Sequence, residues 1–161
     1  MSAPAFSSLA LGEGRFDHGD VVFVPIPPQV TTDPREWAET LFSRDAIPKP
    51  VQALFGVRMI FASLLGLRPA PSGVFDVREV VGEEALIAFD DAHLDFRCAV
   101  GVDATARVVR VTTVVRLHGW RGRLYFAPVS LLHPLILQSM LRRTRRVLST
   151  ASRERSAVTR S

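Results

Sequence analysis

His93-Leu94-Asp95-Phe96-Arg97 is the stretch whose residue types and spacing most resemble a chemical site. On a strand, steps of two put His93, Asp95 and Arg97 on one face, roughly 7 Å apart. An imidazole oriented by a carboxylate is a general acid or base, and histidine changes charge near neutral pH. The competing reading is an outward sheet face, with Asp95 or Arg97 paired across strands to Arg110 or Arg116. Alternation alone already demands a polar outer face, which favours that reading.

His118 follows Arg116 at the end of a strand and would either cap the turn into the next helix or reach Tyr125 or a ligand. His133 stands eight positions after Tyr125, near the same face of a helix. A buried Tyr–His hydrogen bond is one role for it, and ligand contact is the other. His118, His133 and Tyr125 are therefore the candidate catalytic residues.

Other chemistries are excluded by what the sequence lacks. The histidines at 18, 93, 118 and 133 form no i, i+4 pair and no HExxH pattern, so no metal site is expected. Cys98 is the single cysteine and falls on an apolar strand face without a basic neighbour there, which marks an inert core thiol. No nucleophile-elbow sequence supports Ser/His/Asp catalysis. No Gly-x-Gly-x-x-Gly or phosphate-binding loop occurs, so no cofactor is expected, and a nicotinamide cofactor would have to come with a partner chain.

These residues need elements to hold them. The chain has 161 residues, 22% charged and 47% hydrophobic, enough for one domain with a real core and too apolar for wholesale disorder. Residues 1–19 read as a loose arm. Asp20–Ile26 reads as a strand stopped by prolines. Asp33-Pro34-Arg35-Glu36 opens a helix, with Asp33 as cap, Pro34 in the first turn and Glu36 completing a capping box. Pro48 and Pro50 lead into a second helix, 51–67, apolar all round. The period then switches to two through 75–81, 84–90, 94–102 and 107–118, with short turns between. This is an antiparallel meander with one dry face. A long apolar helix, 122–148, follows, and Pro128 and Pro134 should bend or interrupt it. The expectation is an α+β fold: a β-meander packed against a long C-terminal helix, with two helices inserted after the first strand, in one domain over 20–148.

The net charge of +4 is misleading as a global number. Residues 141–161 hold seven arginines against Glu154, so the body is near neutral and the tail from 149 reads as basic and disordered. Aromatic residues sit away from these arginines, which argues against a nucleic-acid partner. Part of the cluster at Arg142, Arg143, Arg145 and Arg146 complements the end of a helix, and weak contact with an anionic membrane surface is the alternative. The two long apolar runs carry Arg58 and Gln52, and Pro128, His133, Pro134 and Gln138, so neither should span a membrane. No basic segment precedes an apolar one at the start, and a cytoplasmic location is expected.

The order of elements resembles a shortened helix-grip fold of the START and polyketide-cyclase-like (SRPBCC) superfamily. A closer resemblance rests on residues. Asp33–Phe42 (DPREWAETLF), Asp91–Arg97 (DAHLDFR), Thr112–His118 (TTVVRLH) and Gly122–His133 (GRLYFAPVSLLH), with the following Leu141-Arg142-Arg143, are similar to the bacterial family called domain of unknown function 2867. The chain departs from that family's usual pattern at Pro134. Some members resemble the C-terminal part of longer NAD(P)-binding, epimerase-like chains.

Three functions follow as expectations. The first is a binding module for a small hydrophobic molecule held between the sheet and the last helix. Its lining would include Phe61, Phe89, Phe96, Val111, Phe126 and Leu131, and Arg116, Tyr125 and His133 would orient the ligand. The second is an enzyme or accessory domain acting on a hydrophobic, polyketide-like substrate, as the resemblance implies, beside an NAD(P)-binding partner. The third uses the excess apolar surface for a homodimer.

Overall fold

The computed structural model describes residues 10, 12, 14–53, 73–90 and 94–158. Its elements are β1 (His18–Pro25), α1 (Pro34–Leu41), β2 (Val77–Val81), β3 (Glu84–Asp90), β4 (Leu94–Asp103), β5 (Val108–Leu117) and α2 (Gly119–Val158). The fold is α+β: a five-stranded antiparallel sheet in the order β1-β5-β4-β3-β2, with a long C-terminal helix. Strands β2 to β5 form the meander, and β1 joins its far edge beside β5.

Alternation puts Val22 and Val24, Val109 and Val111, Cys98, Val100 and Val102, and Ala85 and Ile87 on one face. These side chains form one buried cluster with Trp37, Ala38 and Leu41 of α1 and Leu137, Met140, Leu141 and Leu148 of α2. On α2 the buried positions 137, 141, 144, 148 and 152 recur at steps of three and four, the side that meets the core. Gly82 turns the β2–β3 hairpin at φ +57°, a conformation that glycine adopts without cost.

The start of α1 is built locally. Asp33 caps it by accepting from Arg35 N at 2.9 Å, and Pro34 occupies the first turn. The cap's own N–H donates to Thr31 Oγ1 at 3.1 Å, so the return bond of a capping box is supplied by Thr31 rather than Glu36. Glu36 instead faces Arg155 at 3.6 Å. Trp37 is fully enclosed and donates Nε1–H to Thr31 O at 2.9 Å, pinning the same turn.

Several expectations need correction. Strand β1 begins at His18 rather than Asp20, because His18 and Asp20 join the ladder opposite Val115 and Thr113. Asp17 is not loose either: its N–H donates to Val115 O, and its carboxylate accepts from Leu117 N. The sheet does not have one dry face only. Leu86, Ala99 and Val114 on the second face are buried in a cluster with Ala10, and Thr112 is buried there too. The last helix is not interrupted at Pro128 or Pro134, and it does not stop at 148. It continues through the expected disordered tail to Val158, because Leu148 and Ser152 are buried and Arg155 reaches Glu36. The expected helix 51–67 lies, from residue 54 onward, outside the described residues, as does His93.

Candidate functional site

The inward alternation of β1 does not end at its valines. His18 and Asp20 share the face of Val22 and Val24, so they point toward α2 at the end of the sheet where the core thins. Opposite Asp20 on β5 is Thr113, and beyond it on β4 is Cys98. Helix α2 brings His133 to this row. Its Nδ1 is 2.7 Å from Asp20 Oδ2, and Nε2 of His18 is 3.2 Å from the same oxygen.

An ionised carboxylate only accepts, so both ring nitrogens carry the proton in these bonds. That assigns the tautomers: His133 keeps Nε2 open and His18 keeps Nδ1 open, with no hydrogen bond to either among the described residues. Asp20 is the inner member, 11% exposed, against 21% for His133 and 26% for His18. Its Oδ1 is buried and has no partner among the described residues. The Phe126 ring, two turns before His133 on α2, meets His18 edge to face at 5.1 Å. Both N–H groups point at the one carboxylate oxygen, Asp20 Oδ2. Among the described residues no group of three or more His, Cys, Asp and Glu could hold a metal ion.

Cys98 lies behind this group. Its Sγ is 4.0 Å from Thr113 Oγ1, and burial pushes the thiol up to about 12, the Thr113 contact opposing and the Asp20 charge reinforcing the shift. Held neutral, the thiol is a poor nucleophile. The arrangement offers two oriented imidazoles, each partly buried with one nitrogen open, seated on a more deeply set carboxylate among apolar side chains. Such a group can accept or donate a hydrogen bond or move a proton at His133 Nε2.

The structure separates the sequence candidates. Nε2 of His118 is 2.9 Å from Asp95 Oδ1, on the face of β4 opposite Phe96. His118 and His133 are thus held by different carboxylates on opposite faces of the sheet. The side chain of Tyr125 lies outside the described part of the chain, as does Phe61. Phe89, Phe96 and Val111 are on the inner face. Phe96 meets Phe75 edge to face, Phe75 stacks on Phe42, and Val111 is sealed in the core. Arg116 is exposed on the outer face, and Leu131 is exposed on the side of α2 away from the sheet.

On that outer face the polar residues do pair across strands, with other partners than expected. Arg97 binds Asp90, with Nη2–Oδ2 at 3.0 Å, and this hydrogen bond holds the Asp90 carboxyl below its ordinary range. Arg110 Nη2 meets Glu84 Oε1 at 2.6 Å. Arg142, Arg143 and Arg146 line an open groove of about 1050 Å³ with Asp45, Pro48 and Leu135.

Sequence reasoning missed Asp20 and His18 as site residues. The signal was present: His18, Asp20, Val22 and Val24 share one phase of a strand, which puts two polar groups on the buried face.

The fold and this site define an α+β sheet-and-helix protein with a carboxylate-bridged histidine pair. The chain belongs to the family described as Protein of unknown function (DUF2867), whose model matches residues 13–140. No curated protein and no solved structure is similar enough to the chain to count as a match. None of the described helices is long and apolar enough to cross a membrane.

Proposed function

We propose that the chain is a binding module for a small, largely apolar molecule with one hydrogen-bonding head, which docks on the His18–Asp20–His133 group. The observation that carries this reading is the pair of imidazoles held on one partly buried carboxylate while each keeps a ring nitrogen open. Buried polar groups held in apolar surroundings fix the orientation of small ligands. Phe126 beside His18 and Val115 opposite it supply the apolar part. Among the described residues the sheet–helix interior deeper in the fold is packed with core side chains, which favours the end of the seam as the ligand's place.

The experiment is a titration with 2-naphthol and a fluorescent fatty acid, repeated on His133→Phe and His18→Phe. Saturable micromolar binding that weakens at least tenfold in both variants supports the reading. Absent binding, or binding indifferent to both substitutions, removes it.

A catalytic reading rests on one further observation: Asp20 orients His133 as carboxylates orient general bases. In that case a bound carbonyl compound exchanges its α-proton for deuterium, and at saturating ligand the rate falls in His133→Phe by more than the weaker binding accounts for. Binding without exchange leaves the module reading alone.

A further inference from the structure

Helix α2 carries a second pattern, on the side turned away from the core. Trp120, Leu124, Leu131, Leu135, Arg142, Arg146 and Arg153 follow one another at alternating steps of four and seven. Steps of that size return to one side of a helix, so the seven residues form a single line. All seven are exposed. Trp120 is 66%, Leu131 79% and Leu135 70% exposed. The line is apolar over its first about 22 Å and basic thereafter. Arg121 lies with its guanidinium 5.5 Å from the Trp120 ring, at the apolar end. The whole helix holds eight arginines and one acid, Glu154.

A helix face exposed to water alone has no reason to align a tryptophan with three leucines, and a patch of this kind marks a docking surface. Its charge chooses the occupant. A second copy covering the apolar half would leave the basic half without counter-charge, and a parallel copy would set arginine against arginine. A stable protein interface also draws on about 20–30 residues a side, far more than one line of a helix supplies. An anionic bilayer satisfies both halves at once. Tryptophan and leucine enter the boundary between headgroups and acyl chains, and arginines reach the lipid phosphates on long stems. Each basic residue adds attraction to a negative surface. Lying on a surface requires no spanning segment.

We propose that this line of α2 docks the protein on an anionic lipid surface, with Trp120, Leu124, Leu131 and Leu135 inserted and Arg142, Arg146 and Arg153 on the headgroups. The chain has a convenient reporter. Trp37, the other tryptophan, is fully enclosed, so acyl-chain quenching reads Trp120.

The test is flotation of the full chain with vesicles of phosphatidylglycerol and phosphatidylcholine, against phosphatidylcholine alone, with brominated lipid as quencher. The expected result is capture by the anionic vesicles, quenching of Trp120, and loss of capture at high salt. Leu131→Ser with Leu135→Ser should weaken capture more than about tenfold. Arg142→Gln and Arg146→Gln should each weaken it about fivefold. All four positions are exposed, and circular dichroism confirms that the variants fold. The proposal is overturned by no capture at millimolar lipid, or by capture unchanged in the leucine variant. It is equally overturned by a solution dimer that the leucine variant dissolves without vesicle binding, or by tighter binding to duplex DNA than to vesicles.

Discussion

His133 and Asp20 are 113 positions apart in the chain, and their side chains meet at 2.7 Å. The contact ties the first half of α2 to the edge strand β1, and it sets the tautomer of the imidazole. Asp20 also accepts from His18, so one carboxylate oxygen organises two elements and two rings.

That relationship predicts measurable coupling. In a double-mutant cycle of Asp20→Asn and His133→Phe, urea unfolding should give an interaction energy of about 1–2 kcal/mol, modest because the histidine is partly exposed. Long-range nitrogen spectra of the imidazoles should show His133 protonated at Nδ1 and His18 at Nε2. The opposite tautomers would contradict the arrangement.

Cys98 predicts a dependence on alkaline pH. Its thiol ionises near 9.0 when exposed and is pushed up to about 12 in the fold. Below the first value both states hold the proton, and pH has no effect through this group. Above it the unfolded chain loses the proton while the folded chain keeps it, so stability falls with rising pH, by up to about 1.4 kcal/mol per unit. Comparing urea midpoints at pH 7.5 and 10 should show a larger loss for the natural chain than for Cys98→Ala. A thiol reagent should label the protein only after denaturation.

Two leucines of α2 separate its faces. Leu141 is fully buried in the main cluster, so Leu141→Ala should cost about 2–5 kcal/mol. Leu131 is exposed, and Leu131→Ala should change stability by less than about 0.5 kcal/mol. Equal losses in thermal or urea unfolding would mean that α2 is rotated from the orientation described.

The cap of α1 gives a local prediction. Asp33→Ala removes the acceptor of Arg35 N and should destabilise the protein by about 0.5–2 kcal/mol. Glu36→Gln, which leaves that cap intact, should cost less. Hydrogen exchange at Arg35 and Glu36 reads the effect directly.

Local patterns explain which elements were legible. Strands β3, β4 and β5 lie where period-two alternation puts them, because side chains of successive residues point to opposite faces whatever the strand pairs with. The start of α1 follows from Asp33 and Pro34, since a cap bonds within two residues. The histidine site was half visible: His133 stood out in an apolar helix, but nothing near it in sequence named its partner.

The sequence by itself determined the periods, the turns and the family, because each is a property of a few neighbouring residues or of their order. Only the tertiary structure decided that Asp20 is a partner of His133, that His118 goes to Asp95, and that residues 149–158 are helical. Those outcomes depend on how β1 registers on β5 and where α2 crosses it. Register and crossing are set by the packing of residues about a hundred positions apart, and no local pattern encodes them.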